Sequence, residues 1–167
     1  VPRTFSLSRR EADVAITVER PEHGRLVAAR LVDYSLGLYA AKSYLQTRGV
    51  PQSPEDLSAH SLIGYVEDLI ASPSLNYAAE FSRDWKAGFL VSSALGQVEA
   101  VRAGCGIGIL HRFIARAHSD LVPILPQKDI RRAYFIVYHE SMRTLRRITA
   151  VTQFIAEIVE RDKAIFN

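Results

Sequence analysis

Two adjacent serines, Ser92 and Ser93, stand where this sequence could hold a small anion. They follow an apolar run that ends at Val91 and precede residues 94–103, which have the composition and spacing of an amphipathic helix. A serine just before a helix is a typical N-cap. The first turn of that helix would also present unpaired backbone N–H groups and the positive end of the helix dipole. Hydroxyls and free amides together favour anion binding, and no general base or activated nucleophile accompanies them.

Three glycines and the single cysteine follow this helix, as Gly104, Cys105, Gly106 and Gly108. A dinucleotide-binding loop has similar spacing, but it leaves a strand and opens a helix, whereas these residues leave a helix and enter a strand. We therefore expect Gly104 to end the helix, and the other two glycines to let the next strand pack closely. Cys105 has no second cysteine to pair with and no His or Lys nearby, which indicates a small apolar residue without redox chemistry.

The other reactive side chains form no recognisable catalytic or metal-binding pattern. The five histidines are scattered, and no pair has metal-ligand spacing with a third ligand nearby. The sequences GxSxG, HExxH and the P-loop do not occur. Basic clusters at Arg131-Arg132 and around Arg146-Arg147 are interpreted as solvated surface, because a nucleic-acid footprint needs a denser basic stripe. The sequence therefore argues against an enzyme, a metal or other cofactor, and direct nucleic-acid binding by these residues.

Composition indicates an ordinary globular protein of one domain or two small lobes. The chain has 167 residues, of which 48% are apolar and 23% are charged, and its formal net charge is +3. No apolar run approaches the roughly 18–20 residues that span a bilayer. The amino-terminal residues do not resemble a signal peptide, and one cysteine fits a reducing compartment. These features together predict a cytoplasmic protein.

Strands and helices alternate along the chain. Strand-like runs are expected at residues 14–16, 26–31, 36–39, 62–66, 75–81, 88–91, 107–110, 121–125 and 133–138. Helical segments are expected at residues 42–48, from 53 onwards, and at 94–103, 111–117 and 145–162. Asp33 is expected to turn the chain between the second and third runs, and Ser53 to cap the short helix after it. The alternation favours an α/β fold with a mostly parallel sheet.

Ligands of open α/β sheets bind at the carboxyl ends of the strands. Ser92 and Ser93 follow one such end, and Gly64 and Tyr65 end another strand. Tyr65 could supply an apolar wall with one phenolic hydroxyl. We therefore expect these residues to lie near a bound ligand.

Four segments in order resemble the effector-binding (substrate-binding) domain of LysR-type bacterial transcription regulators, over nearly the whole chain. They are LSRREADVAI at residues 7–16, the spacing YL-x3-G-x-P-x2-PEDL-x2-H from Tyr44 to His60, VSSALGQVEAVRAGCGIGIL at residues 91–110, and YFIVY at residues 134–138 followed by an amphipathic helix.

The resemblance implies an α/β fold of two Rossmann-like lobes joined by two crossover strands, as in type 2 periplasmic binding proteins. Lobe I would comprise residues 1–36 and 135–167, and lobe II residues 37–134, with crossovers near 36–40 and 133–138. The family's opening strand would precede the first residue of this chain. A small effector would bind in the cleft between the lobes, and the hydroxyls of Ser92 and Ser93 at a helix start favour an anion. The residues expected to line that cleft are Arg3, Thr4, Phe5, Gly64, Tyr65, Ser92, Ser93 and Ile107.

The resemblance also implies partners. The family forms homodimers within tetramers, and it binds DNA through a helix-turn-helix domain that this chain lacks. Two other functions stay open at this point: a free-standing solute-binding protein for uptake, which needs an export signal, and a small α/β enzyme, which needs a catalytic constellation. A helix-turn-helix encoded upstream would favour the regulator, and a signal peptide would favour the uptake protein.

Overall fold

The computed structural model describes residues 12–21, 23–66, 77–82 and 85–166. The strands in these ranges are β1 Val14–Thr17, β2 Leu26–Ala41, β3 Leu62–Gly64, β4 Ala87–Leu90, β5 Ile107–His111, β6 Leu121–Ile124 and β7 Ile130–His139. The α-helices are α1 Lys42–Arg48, α2 Ala78–Phe81, α3 Ala94–Arg102, α4 Arg112–Ala115 and α5 Arg146–Arg161. Short 3-10 helices lie at Glu55–Ala59, Glu140–Met142 and Lys163–Phe166. No helix in the described ranges is long and apolar enough to cross a membrane.

The described residues form two compact units. One unit is Ser35–Ile130, and the other is the described part of Arg3–Tyr34 together with Arg131–Asn167. The chain passes from one unit to the other within β2 and again at the start of β7.

The larger unit is built on β3, which lies between two parallel neighbours. Leu62 and Ile63 pair with Ile107 and Gly108 of β5, and the other side of β3 pairs with β4. The last part of β2 runs antiparallel to both β5 and β6. A core cluster fills the space between these strands, α3 and α4, and its members are Tyr39, Ile63, Val98, Val101, Leu110, Ala115 and Leu121.

The smaller unit places β7 between β1 and β2. Val14 of β1 pairs with Tyr138 of β7 in antiparallel register. Tyr34 is 2% exposed, and its ring stacks on that of Tyr134 with centroids 4.3 Å apart. The long helix α5 spans the expected segment, but of its apolar residues only Ile148 is buried, and Val151 and Phe154 are exposed.

The expectation of a mostly parallel sheet was wrong for the described pairings. Among the pairings with a described register, the parallel ones are those of β3 with β4 and with β5, and α3 crosses over from β4 to β5 on the other side of β3. The pairings of β1 with β7, and of β2 with β5 and β6, are antiparallel. A helical crossover lets the chain return to the same end of the sheet and so gives parallel strands, whereas strands without such a crossover pair antiparallel here, so the sheet is mixed.

The expected turn at Asp33 is also absent from the described structure, because β2 continues through it from Leu26 to Ala41. The carboxylate of Asp33 accepts a hydrogen bond from Arg30 Nε at 2.8 Å. An aspartate favours a turn when its carboxylate bonds to the backbone nearby. Here an arginine side chain binds the carboxylate instead, and the strand stays extended.

The strand expected at residues 75–81 is a helix where the structure describes it, at Ala78–Phe81. Tyr77 and Phe81 are 8% and 4% exposed, and their separation of one helical turn puts both rings on one face. Two alanines and a glutamate between them are good helix formers. Two aromatic residues suggested a strand, but their spacing fits a helical turn.

The expected serine cap at Ser53 is absent, because the 3-10 helix has Pro54 at its N-cap position and no side-chain capping bond. The carboxylate of Asp56 accepts hydrogen bonds from the backbone N–H groups of Gln52 and Ser53, at 2.9 and 3.0 Å. These two bonds hold the pKa of Asp56 below its usual value, because they stabilise the ionised carboxylate. The acid that complements the helix dipole therefore also satisfies the free amides before the helix.

The motif between Tyr44 and His60 joins α1 to the start of β3. The Tyr44 hydroxyl accepts a hydrogen bond from the Ser61 backbone N–H at 3.2 Å and lies 3.2 Å from His60 Nδ1. The Trp85 indole donates to the His60 backbone oxygen at 2.8 Å. These contacts fix where β3 begins. Since β3 is only three residues long, they also hold Gly64 at its other end in place.

Candidate functional site

The carboxyl ends of β3 and β4 lie side by side. Gly64 is opposite Leu90 in the parallel register, and the Val91 backbone N–H donates to the Gly64 oxygen at 3.0 Å. A Cβ on Gly64 would lie 2.9 Å from the Cβ of Ala87, so a side chain here would push the two strands apart. This close pairing brings Gly64 and the following Tyr65 next to the serines that follow Val91.

Ser93 is the N-cap of α3, as the sequence predicts. Its backbone is extended, with φ −141° and ψ 140°, and its Oγ accepts a hydrogen bond from the Gly96 N–H at 3.1 Å. A Cβ on Gly96 would lie 2.6 Å from Val91 Cγ1. The glycine therefore lets the first turn of α3 approach the end of β4, which keeps the helix start at the edge of the sheet.

Polar groups of several kinds converge at this edge. The N–H groups of Ala94 and Leu95 lie in the first turn of α3, where the helix itself supplies no acceptor. Ser93 is exposed and Ser92 half-buried, and both hydroxyls can donate. Burial and, to a lesser extent, the nearby Tyr77 raise the pKa of Tyr65 above its usual value, so this phenol stays neutral. The edge can donate several hydrogen bonds to an anion.

Ile107 does not join this group. It pairs with Leu62 at the opposite, amino end of the parallel strands, and its backbone N–H donates to the Ser61 oxygen at 2.9 Å. Its side chain is 0% exposed, so it fills the core behind the sheet edge. The expected residues Arg3, Thr4 and Phe5 lie outside the residues that the structure describes.

Two residues that the sequence did not single out lie close to this edge in the fold. His111 ends β5, the strand next to β3, and its ring packs edge-on against Phe113 with centroids 5.5 Å apart. Gln97 lies one turn into α3 and is 5% exposed, the only buried polar or charged side chain among the described residues. The signal for Gln97 was a polar residue on the apolar face that carries Val98 and Val101.

The glycine-rich turn serves packing, as expected. Gly104 has φ +77° just after α3, a conformation that glycine adopts readily. A Cβ on Gly108 would lie 2.5 Å from Val101 Cγ2, so this glycine lets β5 approach α3. Cys105 is exposed in the same turn. The described residues contain no group of three or more His, Cys, Asp or Glu side chains that could hold a metal ion.

Replacing Ser93 with alanine should destabilise the protein by about 1 kcal/mol, because the Gly96 N–H loses its acceptor. Ser93→Asp should retain most of the stability, since aspartate caps a helix equally well. Ser92→Ala is the matched control, because its neighbour Ser93 makes the capping bond, and we expect it to lose much less. Urea unfolding followed by circular dichroism measures all three. Equal losses for the two alanine variants would contradict the assignment of Ser93 as the cap.

Proteins of similar sequence are transcription regulators. The chain is 26% identical over 163 residues to the HTH-type transcriptional regulator CrgA of Neisseria meningitidis, covering 92% of this chain and 53% of the relative. It is 28% identical over 134 residues to the probable HTH-type transcriptional regulator LtrA of Klebsiella pneumoniae, covering 72% of this chain and 42% of the relative. The chain therefore spans about half the length of these relatives.

A solved structure of a LysR-type regulator also matches this chain. The regulatory domain of CrgA, a LysR-type transcriptional regulator from Neisseria meningitidis, superposes with a TM-score of 0.77 at 25% identity, over 90% of this chain and 77% of that domain. The CcmR regulatory domain of Synechocystis, in complex with 2-PG, superposes with a TM-score of 0.70 at 16% identity, over 91% of this chain and 76% of that domain, and shares the fold. The family model of the LysR substrate binding domain matches residues 5–160. This chain therefore belongs to the LysR substrate-binding domain family.

Proposed function

We propose that this chain is the effector-sensing regulatory domain of a LysR-type transcription factor, and that it binds a small anion at the edge formed by Gly64, Tyr65, Ser92 and Ser93. The observation that carries the proposal is the Val91–Gly64 hydrogen bond, which holds a capped helix start beside a second strand end. Helix N-termini with adjacent hydroxyls favour anions. The CcmR regulatory domain, which shares the fold, is in complex with 2-PG, which supports a ligand role for such a domain.

The finer features of this proposal concern the full-length protein. We propose that its regulatory lobes comprise residues 1–36 with 135–167 and residues 37–134. DNA contact belongs to a helix-turn-helix domain outside this chain, and the protein assembles as a homodimer or homotetramer in the cytoplasm. The domain is a sensor without catalytic activity or cofactor. An effector controls transcription only if it binds one arrangement of the protein more tightly than another.

The direct test is a thermal-shift screen of small carboxylates and aromatic acids, followed by calorimetry on those that bind. A ligand that binds only the folded protein raises the melting temperature by mass action. For the acid that binds most tightly, we expect Ser93→Ala and Ser92→Ala to weaken affinity about tenfold, the effect of losing one hydrogen bond to a charged group.

The matched control is Ser58→Ala, at an exposed serine in the 3-10 helix whose hydroxyl donates to the Glu55 oxygen. This variant should bind with wild-type affinity. If no acid changes the melting temperature, or if both serine variants at the sheet edge bind as tightly as wild type, the proposed site is wrong.

A further inference from the structure

Arg112, the residue that follows β5, carries a half-buried guanidinium with one neutral partner. Its Nη2 donates to the Pro126 backbone oxygen at 3.1 Å, and its Nε is buried with no hydrogen-bond partner among the described residues. None of the ion pairs in the described ranges includes Arg112. This arrangement costs free energy, because both the charge and the unpaired donor have lost water.

The strand beside this guanidinium leaves room for another group at Gly37. A Cβ on Gly37 would lie 3.2 Å from Arg112 Nε and 3.5 Å from Arg112 Nη2. The position that a side chain would take is therefore close to hydrogen-bonding distance from both nitrogens, along one edge of the guanidinium. Nη2 has two hydrogens and gives one to Pro126, so each of the two nitrogens keeps an N–H without an acceptor. Gly37 belongs to β2, which lies on the side of β5 away from β3, so this place is separate from the sheet edge at Gly64.

The loop that binds the guanidinium has a strained backbone. Leu125, which precedes Pro126, has φ +45° and is 6% exposed, and in the described ranges it is the only residue other than glycine with a positive φ. A bulky side chain disfavours this conformation, because its Cβ crowds the neighbouring backbone. Such strain persists where surrounding contacts hold it, and it is concentrated at binding sites. A strained loop and an unpaired donor therefore occur together around Arg112.

We propose that Arg112 binds a small oxyanion, a carboxylate or a phosphate, through the Nε and Nη2 edge that faces Gly37. Two adjacent N–H donors of an arginine match the two oxygens of such a group. The anion supplies the negative charge and the acceptor that the described residues do not provide. Nε is closed to water in this structure, so the guanidinium moves away from Gly37 as the anion enters, and the half-buried side chain allows that movement. This site is additional to the one proposed at Ser92 and Ser93.

Proton–nitrogen NMR observes the unpaired donor directly. The Nε–H signal of Arg112, assigned by its loss in Arg112→Lys, should shift saturably when sodium phosphate or sodium acetate replaces sodium chloride at constant ionic strength. The two anions are titrated separately, and a saturable shift with either one supports the site and identifies the group that it prefers. Arg48 is the matched control, because it is an exposed arginine of α1. Its Nε–H signal, assigned by Arg48→Lys, should show no saturable shift.

Gly37→Ala separates a specific site from general attraction between arginine and anions. This variant keeps the charge of Arg112 but fills the space along the Nε and Nη2 edge, so it should weaken the binding of both anions at least tenfold. If the wild-type Arg112 signal does not move, or moves without saturating as the Arg48 signal does, the proposal is wrong. It is also wrong if Gly37→Ala binds the anions as tightly as the wild type does. Either failure leaves the site at Ser92 and Ser93 standing, since that site is tested through other residues.

Discussion

Gly106→Ala is expected to destabilise the protein by roughly 3 kcal/mol, at the upper end of the cost of forcing extra atoms into a packed core. A Cβ at this position would lie 2.3 Å from the backbone oxygen of Ser61 and 3.1 Å from its carbonyl carbon. Atoms of the backbone cannot move aside as a flexible side chain can. The same Ser61 oxygen accepts the hydrogen bond from the Ile107 N–H at 2.9 Å, so the displacement would break the start of the β3–β5 pairing.

Gly104→Ala is the matched control for this substitution. Gly104 has φ +77°, and the atom closest to an added Cβ is Ser43 Oγ at 3.5 Å, an ordinary contact. Alanine there should cost about 1–2 kcal/mol from the left-handed backbone alone. Urea unfolding followed by circular dichroism measures both variants. Equal losses for the two would show that the close approach to Ser61 is relaxed easily, contrary to the expectation.

These two glycines show what a single sequence can predict about the fold. The pattern at residues 104–108 predicted a helix end and a close-packed strand, because both depend on local backbone conformation. The partner of Gly106 is Ser61, which is distant in the sequence and becomes a neighbour only through the parallel pairing of β3 with β5. The same distinction explains the Ser93 cap, which is local and was confirmed. The continuity at Asp33 was missed for another reason, since its carboxylate binds the side chain of Arg30, three residues away, and not the backbone nearby.

The sequence also placed some residues of the candidate site correctly and others not. Gly64, Tyr65, Ser92 and Ser93 could be grouped from the sequence because each pair lies at the carboxyl end of a strand. Ile107 begins the strand expected at residues 107–110, and the register places it opposite Leu62 at the amino end of the parallel strands. The burial of Gln97 could likewise not be predicted, since a glutamine in a helix is usually exposed.

Stability should fall as the pH drops from about 6.5 towards 4, and His111 should account for much of the loss. Burial lowers the pKa of His111 from 6.5 to about 4 in the folded protein. Between these values the unfolded chain binds a proton that the folded protein does not bind. The contribution is therefore fully present above pH 6.5 and lost by about pH 4, and at roughly 1.4 kcal/mol per pKa unit the loss is about 3 kcal/mol.

His111→Gln removes the titrating ring and should flatten this dependence. We expect the variant to be less stable than wild type at pH 8, where it lacks the ring contact with Phe113, and closer to wild type at pH 5. Burial and the nearby Arg48 also lower the pKa of His60, so His60 contributes a slope in the same direction and some pH dependence should remain. Urea unfolding at pH 8, 6.5 and 5 measures the difference between the two proteins. If that difference is the same at all three pH values, the His111 ring is protonated as readily in the folded protein as in the unfolded chain, and its burial does not couple folding to pH.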